Sequence, residues 1–462
     1  MSPTTAELIW ALAAGLPEGC LVTDPDVVGS YSTDRAMFCL PGRAVALVRP
    51  LETAHVQHVM RVASRLQVPV VPQGARSGLS GAAVAIDGCI LLNLERMNRV
   101  LEIDAANRIV VTQPGIFNAA LSRAVAEHGL FYPPDPSSWE FCSIGGNIST
   151  NSGGLCCVKY GVTTDYVLGL EVVLADGQVL RTGRRTVKGV AGYDLTKLFV
   201  GSEGTLGVVT EITLLLRPAT HEPRTVAAVF SSAQSACRAI SAVVAAGLVP
   251  SLLEFMDRVS VQAVNDAFHL DISPDAGALV LAQSDAGAER ADAEISRMAG
   301  IFADAEAFEV AVAADAAEGE LLLAGRREVL TAFERLGTTM IDDVCVPRSR
   351  LADLVERIEK VSESVGLTIG VVGHAGDGNF HPTVVFDGQD PEQVARAKRA
   401  FDEIMEISLE LGGTITGEHG VGMLKMSLLE RELGELSLDV HRRIKHALDP
   451  QGIFNPGKVF AS

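Results

Sequence analysis

"PPDPSSWEFCSIGGNISTNSGGLCCVKYG", residues 133–161, is the stretch on which the reading of the fold turns. It crowds Ser, Asn, Thr and Gly into a chain that is 48% hydrophobic. Short donors and open backbone over such a length mark a binding loop. Two more glycine-rich stretches stand on either side. In "PQGARSGLSGAA", residues 72–83, Gly74, Gly78 and Gly81 let backbone N–H groups converge on an anion such as a pyrophosphate. Taken alone, such a stretch is more commonly a tight surface turn. It is neither G-x-G-x-x-G nor a Walker A sequence, which disfavours Rossmann and P-loop readings. "GSEGTLGVVTEI", residues 201–212, is the third.

Around these stretches run short buried-type strands: "AVALVRP", "VPVVPQG", "GCILLNL", "RIVVTQPG" and "GTLGVVTEITLLLRP". "TAHVQHVMRVASRL" and "FNAALSRAVAEHG" have helical spacing. "DYVLGLEVVLADGQVLRTG" predicts a hairpin turning at Asp176-Gly177. Beyond Pro218, Ala-rich helices alternate with short strands such as "ALVLAQSD" and "LTIGVVGHA", and "AEAFEVAVAADAAEGE" reads as surface helix. The class is α+β. At 462 residues, two or three domains are the prior.

A net charge of −19 with no basic run argues against nucleic acid or anionic lipid as partner. No window of eighteen apolar residues offers a membrane span. The N-terminus carries Glu7 and no early Lys or Arg, a poor secretory signal; Leu8, Ile9, Leu12 and Leu16 suit one helix face. The eight cysteines lack any C-x-x-C, against a zinc or iron–sulfur cluster, and read as reduced thiols, adjacent Cys156 and Cys157 included. A cytoplasmic protein, with peripheral membrane attachment as the alternative, is the expectation.

"GVVGHAGDGNFHPTVVFD", residues 370–387, places His374 and His381 seven apart. On one straight strand they would face opposite sides, so "AGDGN" must bend the chain to bring both imidazoles together. In "TGEHGVG", residues 416–422, Glu418 and His419 are adjacent and point apart in extended chain. Alone, that fragment reads most simply as a surface loop.

Together "GLSGAA", "PDPSS", "SIGGNISTNSGG", "KYG", "GSEGTLGVVTEI", "GHAGDGNFHP", "GEHGVG" and "NPGK", in this order, resemble the FAD-linked oxidases of the vanillyl-alcohol-oxidase type. Within them the D-2-hydroxyacid dehydrogenase branch is the nearest likeness, the flavin-bearing D subunit of glycolate oxidase and D-lactate dehydrogenases above all. The resemblance implies an N-terminal helical segment (residues 1–35), a two-subdomain FAD-binding domain (36–218), an α+β substrate or cap domain (219–410) and a C-terminal segment returning to the flavin (411–462). It places the FAD pyrophosphate at Gly74, Ala75, Arg76, Ser77 and Gly78, beside Leu79 and Ser80. Asp135, Ser137, Ser138, Gly145, Gly146, Asn147, Thr150, Gly153 and Gly161 would line the flavin. Glu203, Gly204 and Val209 would sit near the adenine or ribose, with Asn455 and Lys458 returning to the cofactor. No residue takes the role of a covalent flavin anchor, so FAD is expected to be held noncovalently.

By the same resemblance His374, His381 and Glu418 bind a divalent metal, commonly zinc, with Mn²⁺ or Fe²⁺ also suited to those ligands. His419 is the catalytic base. Arg327 and Thr331, four apart on one helix, grip the substrate carboxylate with Asn379 nearby, and Arg326 is a solvated neighbour. The implied reaction oxidises a D-2-hydroxy acid to the 2-oxo acid, with hydride transfer to flavin N5. Arg76 stands where relatives have a small residue. Met340, Ile341 and Asp342 offer no cation, and Thr383 replaces an asparagine, so a second carboxylate lacks a partner and glycolate or D-lactate is favoured over D-2-hydroxyglutarate. A flavin-holding electron-transfer subunit and a metallohydrolase are the competing readings. The electron acceptor is open among a quinone, an electron-transferring flavoprotein, a cytochrome and an iron–sulfur subunit, and so is the oligomeric state, homodimer included.

Overall fold

The computed structural model describes residues 4–269 and 272–460. The chain divides into two compact units. The first takes the chain up to Gly153, then Val162–Ala219, and everything from Glu418 onward. The second takes Gly154–Gly161 and Thr220–Gly417, so the tail of the long glycine-rich stretch, Gly161 included, belongs with it. Among the described residues no helix is long and apolar enough to cross a membrane.

In the first unit, strands Ala46–Val48 and Val70–Gln73 both pair in parallel with Ile90–Asn93. The two flank it on opposite sides, and helix Thr53–Leu66 carries the chain from the first to the second. Its Val56, Val59, Met60 and Ala63, at i, i+3, i+4 and i+7, pack on Ala46, Val48, Val70, Ile90 and Leu92. Gln67 ends the helix in the left-handed region, φ 54°. A second sheet runs Val100–Asp104, Ile109–Thr112, Val208–Leu215, Val167–Val173, Val179–Gly183, antiparallel throughout. Its last two strands form the expected hairpin, with Gly177 at φ 80°.

The second unit is built on one antiparallel sheet, ordered Ala307–Val312, Arg224–Phe230, Ala278–Ser284, Leu252–Asp257, Thr368–His374, Asn379–Phe386, Thr338–Ile341. Val344–Cys345 also pairs with Asn379–Phe386. One face packs Leu252, Met256, Leu281 and Val372 against Leu323, Val329 and Phe333 of the covering helices. On the other, Phe255 and Phe380 stack at 5.1 Å. The region read as surface helix contains the edge strand Ala307–Val312, and helix begins only at Ala316. Phe308, Val310 and Val312 alternate at the period of a strand, and pairing with Arg224–Phe230 outweighs alanine's helix preference.

Candidate active site

In the second unit, strands Thr368–His374 and Asn379–Phe386 are joined by the bend at residues 375–378, with Gly378 at φ 87°. A Cβ on Gly378 would stand 2.2 Å from the Val346 carbonyl oxygen. The register sets His374 opposite Asn379 and Val372 opposite His381. Cross-strand partners share a face, as do residues two apart. His374, Asn379 and His381 therefore face the same way, and the rings stand edge to face with centroids 5.1 Å apart. Glu254, on the next strand, pairs with His374 and joins that face. Ile341 and Thr383, paired with each other, continue it.

All four polar side chains are buried, Glu254 completely. His374 Nδ1 lies 2.7 Å from Glu254 Oε1. Arg326 Nε donates to Glu254 Oε2 at 2.9 Å. Burial works against a charge on Glu254, but the His374 ring and the Arg326 guanidinium outweigh it and hold the carboxyl below its ordinary pKa. An ionised carboxylate only accepts, so this contact calls for a hydrogen on His374 Nδ1. Asp343, fully buried, lies 3.8 Å from His381 Nδ1. Its Oδ2 accepts from Thr416 Oγ1 at 2.7 Å and from Gly417 N at 2.9 Å. Gly417 abuts Asn379: a Cβ would stand 2.4 Å from Asn379 Oδ1.

The fold separates the expected arginine and threonine. Helix Ala316–Arg327 stops at Glu328 and a new helix begins at Val329, so Arg327 and Thr331 do not share a continuous helix face. Both are exposed, and Arg327 Nη1 donates to Glu320 at 2.7 Å. Arg326 is the buried one, and among the described residues its Nη1 and Nη2 have no hydrogen-bond partner.

In the first unit the loop after Val70–Gln73 leaves the N–H groups of Arg76, Ser77, Gly78 and Leu79 without an acceptor among the described residues. Ser143 Oγ accepts from Ala75 N and Gly146 N, fixing this loop to the start of helix Ile144–Thr150. A Cβ on Gly74 would fall 2.3 Å from Ser143 Oγ. At Gly78 the nearest atom to such a Cβ is 3.9 Å away, so the space there is open. Four neighbouring half-buried donors around an open glycine suit a pyrophosphate. Arg76 is left-handed, φ 58°, and turns its guanidinium onto the Tyr31 ring at 4.2 Å and the Ser30 carbonyl at 2.8 Å.

Other expected cofactor residues hold backbone. Glu203 accepts from Val421 N and Gly422 N, each at 2.8 Å. Asn455 Nδ2 donates to Ala82 O and Glu203 O, and Lys458 Nζ to Gly81 O and Val84 O. Burial raises Glu203 to about 7, against the two N–H donors, and lowers Lys458 to about 8. These bonds fasten the loop that follows Glu418 and His419, and Ser80 Oγ donates to the His419 carbonyl at 3.0 Å. Asp135, Ser138 and Thr150 are half-buried, Ser137 is exposed and Asn147 is buried. Gly145 donates to Pro114 O, Gly204 is left-handed, and Val209 lies in strand Val208–Leu215.

Sequence reasoning missed Glu254, Asp343 and Ser143. The acid inside the apolar run "LLEFM" was the available signal for the first.

The donor loop and the histidine face belong to a flavoprotein oxidoreductase: residues 220–459 match the FAD linked oxidases, C-terminal domain, and residues 44–183 the FAD binding domain. The chain belongs to the FAD-linked oxidase family. It is 42% identical over 417 residues to the glycolate oxidase subunit GlcD of Bacillus subtilis, covering 90% of this chain and 89% of that one. It is 36% identical to the mitochondrial D-lactate dehydrogenase [cytochrome] of Arabidopsis thaliana, covering 89% of this chain and 73% of that one. Its fold is shared with 4-ethylphenol oxidase from Gulosibacter chungangensis, of the vanillyl-alcohol-oxidase type, at TM-score 0.80 and 20% identity over 98% of this chain and 97% of that one.

Proposed function

We propose that this enzyme oxidises a short D-2-hydroxy acid, glycolate or D-lactate, to the 2-oxo acid. The buried pair His374 and His381, with the Glu254 carboxyl against Nδ1 of His374, carries the reading. The names of the relatives, a glycolate oxidase subunit and a D-lactate dehydrogenase, support it. FAD, when bound, supplies the two-electron acceptor. A divalent metal held by His374, His381 and Glu418 would supply Lewis acidity toward the substrate hydroxyl.

His419 accepts the hydroxyl proton. An imidazole is suited to this near neutrality, and general-base help of this kind contributes ~10²–10⁴ in rate. Arg326 replaces Arg327 as the carboxylate-binding residue, because its Nη atoms form a fork on a side chain otherwise immobilised by Glu254. Size selection falls to Ile341 and Thr383. Fully buried Asp342 and Asp343 nearby make a second substrate carboxylate unfavourable. We further propose that the electrons pass to a protein or quinone acceptor, as the relatives' names "subunit" and "[cytochrome]" suggest.

The test is anaerobic mixing of FAD-loaded protein with glycolate, both lactate enantiomers and D-2-hydroxyglutarate. Bleaching of the flavin by glycolate or D-lactate in preference to D-2-hydroxyglutarate is expected. Preference for D-2-hydroxyglutarate would overturn the substrate reading, and no bleaching by any of them would overturn the function.

A further inference from the structure

We propose that Glu254 is a positioning residue that sets the tautomer of His374, and that Arg326 determines which way Glu254 can do so. The inference rests on the metal-ligand role proposed for His374, but its first observable does not need the metal.

Three buried side chains form a line: Arg326 Nε to Glu254 Oε2 at 2.9 Å, and Glu254 Oε1 to His374 Nδ1 at 2.7 Å. Glu254 lies in the middle of strand Leu252–Asp257, in register with His374. It has no exposed surface. A charged residue at such a place is costly to bury and is kept where it is paired on both oxygens. Among the described residues each oxygen here has one hydrogen-bond partner, and the Arg326 side can only donate. The line therefore has a direction. The guanidinium cannot accept, so Oε2 must; the carboxylate cannot donate, so His374 Nδ1 must carry the hydrogen. The lone pair is thereby confined to Nε2, the nitrogen available to a cation. A ligating histidine oriented by a carboxylate on its other nitrogen is a recurring arrangement, and loss of the carboxylate typically costs 10–100-fold in metal affinity.

The same line predicts what a nearly isosteric change does. In Glu254→Gln the amide has one accepting and one donating end. Arg326 Nε–H demands the accepting end, so the amide nitrogen faces His374 Nδ1 and donates to it. The imidazole proton must then sit on Nε2, where it blocks a ligand bond. Removing the constraint on the other side, in the double variant Glu254→Gln with Arg326→Met, lets the amide turn its oxygen to His374 and restores the first tautomer.

The experiment reads the ¹⁵N signature of His374 in metal-free full-length protein, then Zn²⁺ and Mn²⁺ affinity by titration. Wild type should show Nδ1–H with unprotonated Nε2. Glu254→Gln should show the reverse and lose ~10–100-fold in affinity, and the double variant should recover most of that loss. A wild-type signature of Nε2–H would overturn the proposal with no variant needed. So would a Glu254→Gln protein with wild-type tautomer and affinity, or a double variant that melts like wild type yet binds as weakly as the single. Wild-type protein that binds neither ion while showing Nδ1–H would overturn the metal assignment and leave the positioning role standing.

Discussion

Arg326 and Arg327 are adjacent, yet Arg326 is buried on Glu254 while Arg327 reaches outward to exposed Glu320. Both lie in the last turn of helix Ala316–Arg327, where successive residues point to different sides, so neighbouring guanidinium groups serve unrelated ends. Arg326→Lys should lower kcat/KM by roughly 10–100-fold, since a lysine cannot offer a fork and charge-assisted bonds are worth ~1.5–3 kcal/mol. Arg327→Ala should leave kcat/KM within about twofold, because exposed pairs contribute ~0–1 kcal/mol. Steady-state kinetics on both variants checks the exchange of roles.

Gly78 separates cofactor binding from folding. A Cβ there meets nothing nearer than Asp34 Oδ2 at 3.9 Å in the protein itself. Gly78→Ala should melt like wild type without cofactor. If the four donors of residues 76–79 hold a pyrophosphate, the methyl intrudes on it, and FAD affinity should fall by at least roughly tenfold, or ~1.4 kcal/mol. Equal FAD affinity in the two proteins would place the pyrophosphate elsewhere.

Gly417 and Asn379 should be energetically coupled. A methyl at residue 417 would lie 2.4 Å from Oδ1 of the buried Asn379 side chain. Gly417→Ala should cost ~1–3 kcal/mol by overpacking. In an Asn379→Ala background the same change should cost clearly less, and a double-mutant cycle of melting free energies measures the difference. Additive effects would contradict the contact.

Asp257 gives a signed pH dependence. It caps helix Arg258–Phe268 by accepting from Ser260 N, and burial raises its pKa from 3.8 to about 6, against the Ser260 bonds. The folded protein thus holds this proton more tightly than the unfolded chain. Below about 4 the group contributes nothing; as pH rises from there to about 6 its ionisation lowers stability; above that the cost is constant. Asn caps as well as Asp. Asp257→Asn should therefore match wild type near pH 4 and exceed it above pH 6 by on the order of 2–3 kcal/mol. Denaturant melts across that range decide it; a constant difference would show that Asp257 titrates normally.

Much of this was legible in the sequence where local chemistry decides. Helix Thr53–Leu66 follows from its apolar spacing, and the bend between His374 and His381 follows from parity alone. What was not legible depends on distant partners. Glu254 lies 120 residues from His374, and only the sheet register makes them neighbours. Arg326 reads as surface until the helix end is known. Glu203, Asn455 and Lys458 sit in recognisable motifs, but their polar ends hold backbone. A motif marks where a residue belongs and leaves its bonding partner undetermined.

The most direct test of the proposed chemistry is flavin absorbance after anaerobic addition of D-lactate or glycolate, before and after removal of divalent metal by a chelator. Bleaching that disappears with the metal and returns when Zn²⁺ or Mn²⁺ is restored is the predicted result. Bleaching at an unchanged rate in demonstrably metal-free protein would contradict it.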